Sequence, residues 1–214
     1  MRCLLLALLM TTPVAAQSAD ATIDRATNAW AKVKTARGTF EQTVTNSLTG
    51  GTATARGEFQ EERPARIAIR FTQPVGDAIV ADGKMVWVYL PSAAPGQVVR
   101  RPATDRAAVP VDFTGQFLDA PRSKYDITDK GASTVDGHAA RVLELVSKKG
   151  ATAPFSRATV WVDNDDGLIR QFEIVETSGV TRRIHLTTLK LNTPVDDGAF
   201  TFTIPKGAKV VDQP

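Results

Sequence analysis

The stretch Gly57–Leu90, GEFQEERPARIAIRFTQPVGDAIVADGKMVWVYL, constrains this chain more than any other. It reads as four short strands broken by Arg63-Pro64, Gln73-Pro74 and Asp82-Gly83-Lys84, where proline or glycine interrupts a strand pattern. Within it Ile67, Ile69 and Phe71 alternate with Arg66, Ala68 and Arg70. Successive strand side chains point to opposite faces, so the pattern predicts an antiparallel sheet that is apolar on one face and solvated on the other. The apolar face has to be covered, either by a packed interior or by a hollow lined for an oily guest.

The same logic extends along the chain. Asp20–Thr35 reads as a helix, because Ile23, Ala26, Trp30 and Val33 share one face, and Gly38 is placed as its terminator. Strand signals then dominate: Thr39–Thr45, a Leu48–Gly51 turn, and a second strand ending near Phe59. Ala65–Phe71, Asp77–Val80, Met85–Leu90 and Gln97–Arg101 follow. Between Pro102 and Arg122 the alternation stops, and Phe113, Phe117 and Leu118 fall at helical spacing among Pro102, Pro110 and Pro121. One or two short helices inside a long connection are expected there, and long connections are often functional. Strands resume at Lys124–Asp129, Ala139–Ser147, Arg157–Val162, Leu168–Val175, Thr181–Leu191 and Ala199–Ile204, with a short disordered tail beyond Lys206-Gly207. About eleven strands, one amphipathic helix at the start and a helical interruption predict a large, curved antiparallel sheet.

The N-terminus reads as an export leader. Met1-Arg2 supplies a charge, Leu4–Met10 a short apolar run, and Pro13-Val14-Ala15-Ala16 a small-residue site with cleavage after Ala16. The apolar run falls well short of the roughly 20 residues of a membrane-spanning helix. Residues 17–214 are then a single domain, expected in the periplasm as a monomer. The only cysteine, Cys3, lies inside the leader, so the remaining chain has neither a disulfide nor a cysteine to lipidate. Net charge is +3, and the doublets Arg100-Arg101, Lys148-Lys149 and Arg182-Arg183 are scattered, reading as solvated surface. No dense basic stripe with interleaved aromatics is present, which argues against nucleic acid.

Catalytic signatures are missing. His138 and His185 have no neighbour at metal-ligand spacing, and Asp163-Asn164-Asp165-Asp166-Gly167 fits a polar hairpin turn, its glycine falling one residue early for a calcium loop. Ser156 has no local context for pairing with either histidine, and no nucleophile elbow or phosphate loop occurs. A non-enzyme without cofactor or metal is expected.

What remains is apolar: Trp30 on the helix; Phe40, Phe59, Ile67, Ile69, Phe71, Ile79, Trp87 and Tyr89 on strands; Phe113, Phe117 and Leu118 on the interrupting helices. Periodicity alone leaves open whether these form a solid core or line a cavity. An ordered set of motifs bears on the choice. It runs through Gly38-Thr39-Phe40-Glu41-Gln42, Gly57-Glu58-Phe59 leading to Arg63-Pro64, Gln73-Pro74, and Asp82-Gly83-Lys84 followed by Trp87 and Tyr89. It continues with Val162-Asp163, Gly167–Phe172, Ala199–Phe202 and Pro205-Lys206-Gly207. Across nearly the whole mature chain this resembles the periplasmic outer-membrane lipoprotein carrier family, LolA.

The resemblance implies an incomplete antiparallel β-barrel covered by a helical lid that encloses an apolar cavity. It implies acylated lipoproteins as cargo, an inner-membrane ABC lipoprotein-release complex as donor, and an outer-membrane lipoprotein receptor as acceptor. It further implies that Arg63 latches the lid through hydrogen bonds to backbone carbonyls, a task suited to a guanidinium fork. Ile67 stands where an aromatic is common in the family, and the lid segment is punctuated by glycine and proline. A carrier of another amphiphile, such as a glycolipid or pigment precursor, and a lipid- or lipoprotein-sensing regulatory domain are the competing readings.

Overall fold

The computed structural model describes residues 18–103, 114–150 and 155–213; the expected leader, Met1–Ala16, lies outside the described residues. Twelve strands form one open sheet in the order β12-β6-β5-β4-β3-β2-β1-β11-β10-β9-β8-β7. They are β1 (Thr35–Asn46), β2 (Thr52–Glu62), β3 (Arg66–Gln73), β4 (Ala78–Asp82), β5 (Met85–Tyr89) and β6 (Gln97–Pro102). In the second half come β7 (Tyr125–Val135), β8 (His138–Ser147), β9 (Arg157–Asp163), β10 (Ile169–Val175), β11 (Val180–Leu191) and β12 (Lys209–Asp212). All described pairings are antiparallel except β12 on β6. The expected curved antiparallel sheet is present, one strand larger than expected.

The sheet divides its side chains by register. Ile69 faces Phe59 and Ile79, and Ile79 faces Val88, so these share the face that carries the main core. Helix α1 (Ala19–Ala31) lies across that face and buries Ile23, Ala26 and Trp30 in it. Ser18 caps it, its hydroxyl accepting from the Ala21 amide at 3.2 Å. Two single-turn helices, α2 (Gly115–Leu118) and α3 (Pro121–Lys124), follow the segment 104–113 and lead into β7.

Four local expectations are corrected. Gly38 does not end the helix; it sits inside β1, and the helix stops at Ala31 with Lys32 as its cap. A Cβ on Gly38 would stand 1.9 Å from the Thr188 carbonyl oxygen, so glycine is there for close strand approach. Ala199–Ile204 is not a strand but begins in a 3-10 turn, Asp197–Phe200, and the chain beyond Gly207 is ordered as β12. The outer face of β3 and β4 is not simply solvated. Ala68 and Val80 bury themselves there against Ala199 and Phe200. Arg70 reaches the Ala199 carbonyl at 2.9 Å, and the Arg66 guanidinium lies over the Phe200 ring. The C-terminal segment is thus a second, smaller cover on the convex side.

Candidate functional site

The concave face beneath the helices collects most of the apolar residues singled out from the sequence. Trp30, Phe40, Phe59, Ile67, Ile69, Phe117 and Leu118 are buried in one cluster, with Phe71 and Ile79 packed against it. Phe40 meets Phe71 edge to face at 5.6 Å. Phe113 lies outside the described residues. Trp87 and Tyr89 are corrections: they point to the convex side, where Trp87 stacks on Phe202 at 5.6 Å and Tyr89 lies 6.2 Å from the same ring. The Trp87 indole N–H donates to Asp82 at 3.2 Å, and Arg100 covers its ring. On strand β5 it is Val86 and Val88 that face inward. Two-residue periodicity allows only one of the two sets to point in, and the C-terminal segment supplies an aromatic partner outside.

The second half of the sheet contributes residues that the sequence reading passed over. Phe117 on α2 packs against Phe172 at 5.0 Å and Phe155 at 5.5 Å, and Tyr125 stacks on Phe155 at 5.4 Å. The Tyr125 hydroxyl donates to the Gln116 carbonyl at 3.1 Å, tying α2 to the start of β7. Leu143, Leu145, Val160, Leu186 and Ile184 complete the floor. In β9 the apolar Ala158, Val160 and Val162 alternate as in β3, whereas irregularities break the period in β10 and β11.

A void of about 10 Å³ is lined by Trp30, Phe59, Glu61, Thr114, Leu168, Ile169, Leu186 and Leu189. A single water needs about 10–15 Å³, and an acyl chain needs many times that. At this point the described side chains, not a free cavity, occupy the space between α1 and the sheet.

Arg63 holds this arrangement at one end. Its Nη1 donates to the Trp30 carbonyl at 2.7 Å and to the Val33 carbonyl at 3.2 Å, and its guanidinium lies 5.3 Å from the Trp30 ring centre. Its backbone amide donates to the Lys34 carbonyl at 2.9 Å. Helix α1 has no basic residue in its own last turn; beside its Lys32 cap, Arg63 adds a cation at that end. The described contacts of this arginine are thus with the end of α1 rather than with α2 or α3. At the other end, Arg122 on α3 donates to Asp20 at 3.1 Å and Asp24 at 2.6 Å; its hydrogen bond pulls the Asp24 carboxyl below the usual range. These three side chains are exposed, so this clamp is weak.

The middle of α1 rests on the β9–β10 turn, where Gly167 has φ +75° and a Cβ would meet Arg25 Cγ at 3.0 Å. The turn is fixed by buried Asp163. It accepts from the Asp165 amide at 2.8 Å, from Arg170 Nε at 3.0 Å, and from His138 Nδ1 at 2.9 Å. Burial pushes the Asp163 carboxyl up, but the Asp165 amide and the Arg170 and His138 charges outweigh it and hold it low. Stability from such a group is present above the unfolded carboxylate range and is lost as pH falls through the lower, folded value. Asp163→Asn is expected to lower stability by about 2 kcal/mol near neutral pH. Urea unfolding at pH 7 and pH 3 should show a smaller acid loss in the variant than in wild type; equal losses would detach the turn from Asp163.

Among the described residues Ser156 is not brought together with His138 or His185. Ser156 donates to the Val175 carbonyl at 2.8 Å, while His185 pairs with Asp136 at 2.6 Å and His138 with Asp163. Ser156 lies at the end of the sheet opposite His138. Among the described residues no group of three or more His, Cys, Asp or Glu could hold a metal ion. Nor is any described helix long and apolar enough to cross a membrane.

Residues 31–203 match the family model described as outer membrane lipoprotein carrier protein LolA. The chain is similar to the outer-membrane lipoprotein carrier protein of Methylibium petroleiphilum, 30% identical over 200 residues, covering 92% of each. It is 29% identical over 175 residues to that of Glaesserella parasuis, covering 81% of this chain and 77% of the relative. The fold is also like that of the Mycobacterium tuberculosis lipoprotein LppX, with a TM-score of 0.52 at 14% identity over 83% of this chain and 97% of the other.

Proposed function

The chain belongs to the outer-membrane lipoprotein carrier family, and from that premise we propose that it shelters the acyl chains of lipoproteins in the periplasm and passes them to a receptor at the outer membrane. In this reading the donor is an inner-membrane ABC lipoprotein-release complex, and the carrier itself catalyses no reaction. The observation that supports the reading is Arg63 bonded to the end of α1, which lies over an apolar face of the sheet.

The physical problem of such a carrier is release. Hiding one acyl chain of about 16 carbons from water is worth on the order of 12 kcal/mol. A preformed hollow would keep that full benefit and hold the cargo too long. A face that fills its own volume when empty has to be opened on loading. The opening costs the contacts of Trp30 and Ile23 with the sheet and the Arg63 bonds, and it lowers net affinity by that amount. Closing again then helps to expel the guest, with no energy source in the carrier.

Isolation of the protein from the periplasm under mild conditions, followed by mass spectrometry of what copurifies, tests the cargo. A lipopeptide bearing ester-linked and amide-linked acyl chains is expected. A glycolipid, a pigment precursor or a hydrolysed ester in its place would overturn the assignment.

A further inference from the structure

On β2 the inward positions from Ala55 onward are Ala55, Gly57, Phe59 and Glu61, and all of them are buried. The strand period calls for an apolar side chain at the last of these. A carboxylate stands there instead, 3% exposed, in register with Ala36 on one side and Ile67 on the other. The same cross-strand row runs on through the buried Ala81 and Val86 and reaches its next charge only at Arg101 on β6. A leucine or valine at position 61 would meet the same neighbours without the cost of taking a charge out of water. Packing alone therefore gives no reason for Glu61.

Its surroundings supply one. Glu61 lines the void beneath α1, together with Trp30, Phe59 and Thr114. Thr114 is likewise 3% exposed, and although it stands at the N-cap of α2, its side chain makes no capping bond there. Two buried, oxygen-bearing side chains, one from the sheet and one from the start of a helix, thus face a lining that is otherwise apolar. Trp30 contributes the α1 side of that lining, and its carbonyl is the one that Arg63 holds at 2.7 Å. Lifting α1 takes Trp30 away and opens this polar spot into the apolar face where an acyl chain would lie.

A carboxylate offers acceptor oxygens, and a threonine hydroxyl beside it adds a further acceptor or donor. A few such groups in an apolar wall orient a ligand by its polar part, while the wall takes up the rest. We propose that Glu61, with Thr114 on the same void, determines specificity in the carrier: on loading it accepts a hydrogen bond from an amide N–H in the uncharged head of the acylated guest. This rests on the carrier reading and deepens it, because the head group as well as the buried chain then takes part in recognition. An amphiphile of equal chain length without such an N–H is held less tightly.

The test compares two probes, N-methyldodecanamide and N,N-dimethyldodecanamide, which differ by a methyl in place of the amide hydrogen. Each is titrated against the protein carrying a bound fluorescent fatty-chain reporter, and displacement gives the affinity. Wild type should prefer the N–H amide about tenfold, the effect of a hydrogen bond to a charged group. In Glu61→Leu that preference should disappear through weaker binding of the N–H amide. Glu61→Gln keeps an acceptor oxygen in the same place and should retain part of it. The preference is a ratio within one protein, so a modest change in stability, followed by thermal unfolding, does not move it. Equal affinities in wild type, or the full preference persisting in Glu61→Leu, would overturn the proposal and leave the carrier reading standing. Failure of both amides to displace the reporter from wild type would overturn the two together.

Discussion

Replacing Arg63 with leucine is expected to leave loading intact and to slow delivery about thirtyfold. The arginine makes a 2.7 Å charge-assisted hydrogen bond to the Trp30 carbonyl and a longer one to Val33. A hydrogen bond to a charged group contributes about 1.5–3 kcal/mol, and a cation at a helix C-terminus about 0.3–1 kcal/mol. Partial exposure trims the sum to roughly 2 kcal/mol. That energy exists only while α1 is down, so its loss favours the open, cargo-holding form by about thirtyfold. Leucine still covers the Trp30 ring, so the fold should survive. Arg63→Lys keeps the charge but not the fork, and should lie between the two. Transfer of a labelled lipopeptide to acceptor, beside thermal unfolding of each variant, reads both effects. Release from the leucine variant at the wild-type rate would remove Arg63 from the latch role, whatever its stability.

The latch also shows how far the sequence could be read. Arg63-Pro64 stands out by position and chemistry, and the described hydrogen bonds of the Arg63 side chain go to the end of α1. Residue spacing says which face of α1 is apolar; it does not say which end of a helix lands beside a given strand turn. The alternation of β3 placed Ile67, Ile69 and Phe71 correctly because every second residue was aliphatic or aromatic. On β5 all five residues are apolar, so period alone could not choose between Trp87 with Tyr89 and Val86 with Val88. The choice was made by Phe202, more than a hundred residues away. Whether the interior is hollow or filled was beyond any pattern, since the same residues serve both. The void described beneath Trp30 is smaller than an acyl chain needs, so a capacity to bind lipid would not rest on that void as it stands.

The largest loss of stability should come from the smallest change, Gly38→Ala. Gly38 lies in β1, paired with Phe59 of β2 on one side and Leu189 of β11 on the other. An added methyl would fall 1.9 Å from the Thr188 carbonyl oxygen, 2.8 Å from its carbon and 3.2 Å from the Phe59 ring. The ring can shift, but the backbone carbonyl cannot without parting the seam between β1 and β11. At this seam the ladder is already irregular: the register shifts between Thr39 and Phe40, and the Thr39 amide donates to the Thr188 side chain at 3.0 Å. The seam joins the two halves of the sheet, so opening it disturbs the floor beneath Trp30 as well. A cost above about 4 kcal/mol is expected, comparable with the whole stability of many domains. Gly51→Ala is the matched control, because its methyl would meet only the Thr49 hydroxyl at 3.2 Å in an exposed turn, and it should be nearly neutral. Soluble yield and urea unfolding of the two variants decide the matter. If Gly38→Ala unfolds within 1 kcal/mol of wild type, the strands can separate at this point cheaply, and the central seam would be the hinge of opening rather than its fixed floor.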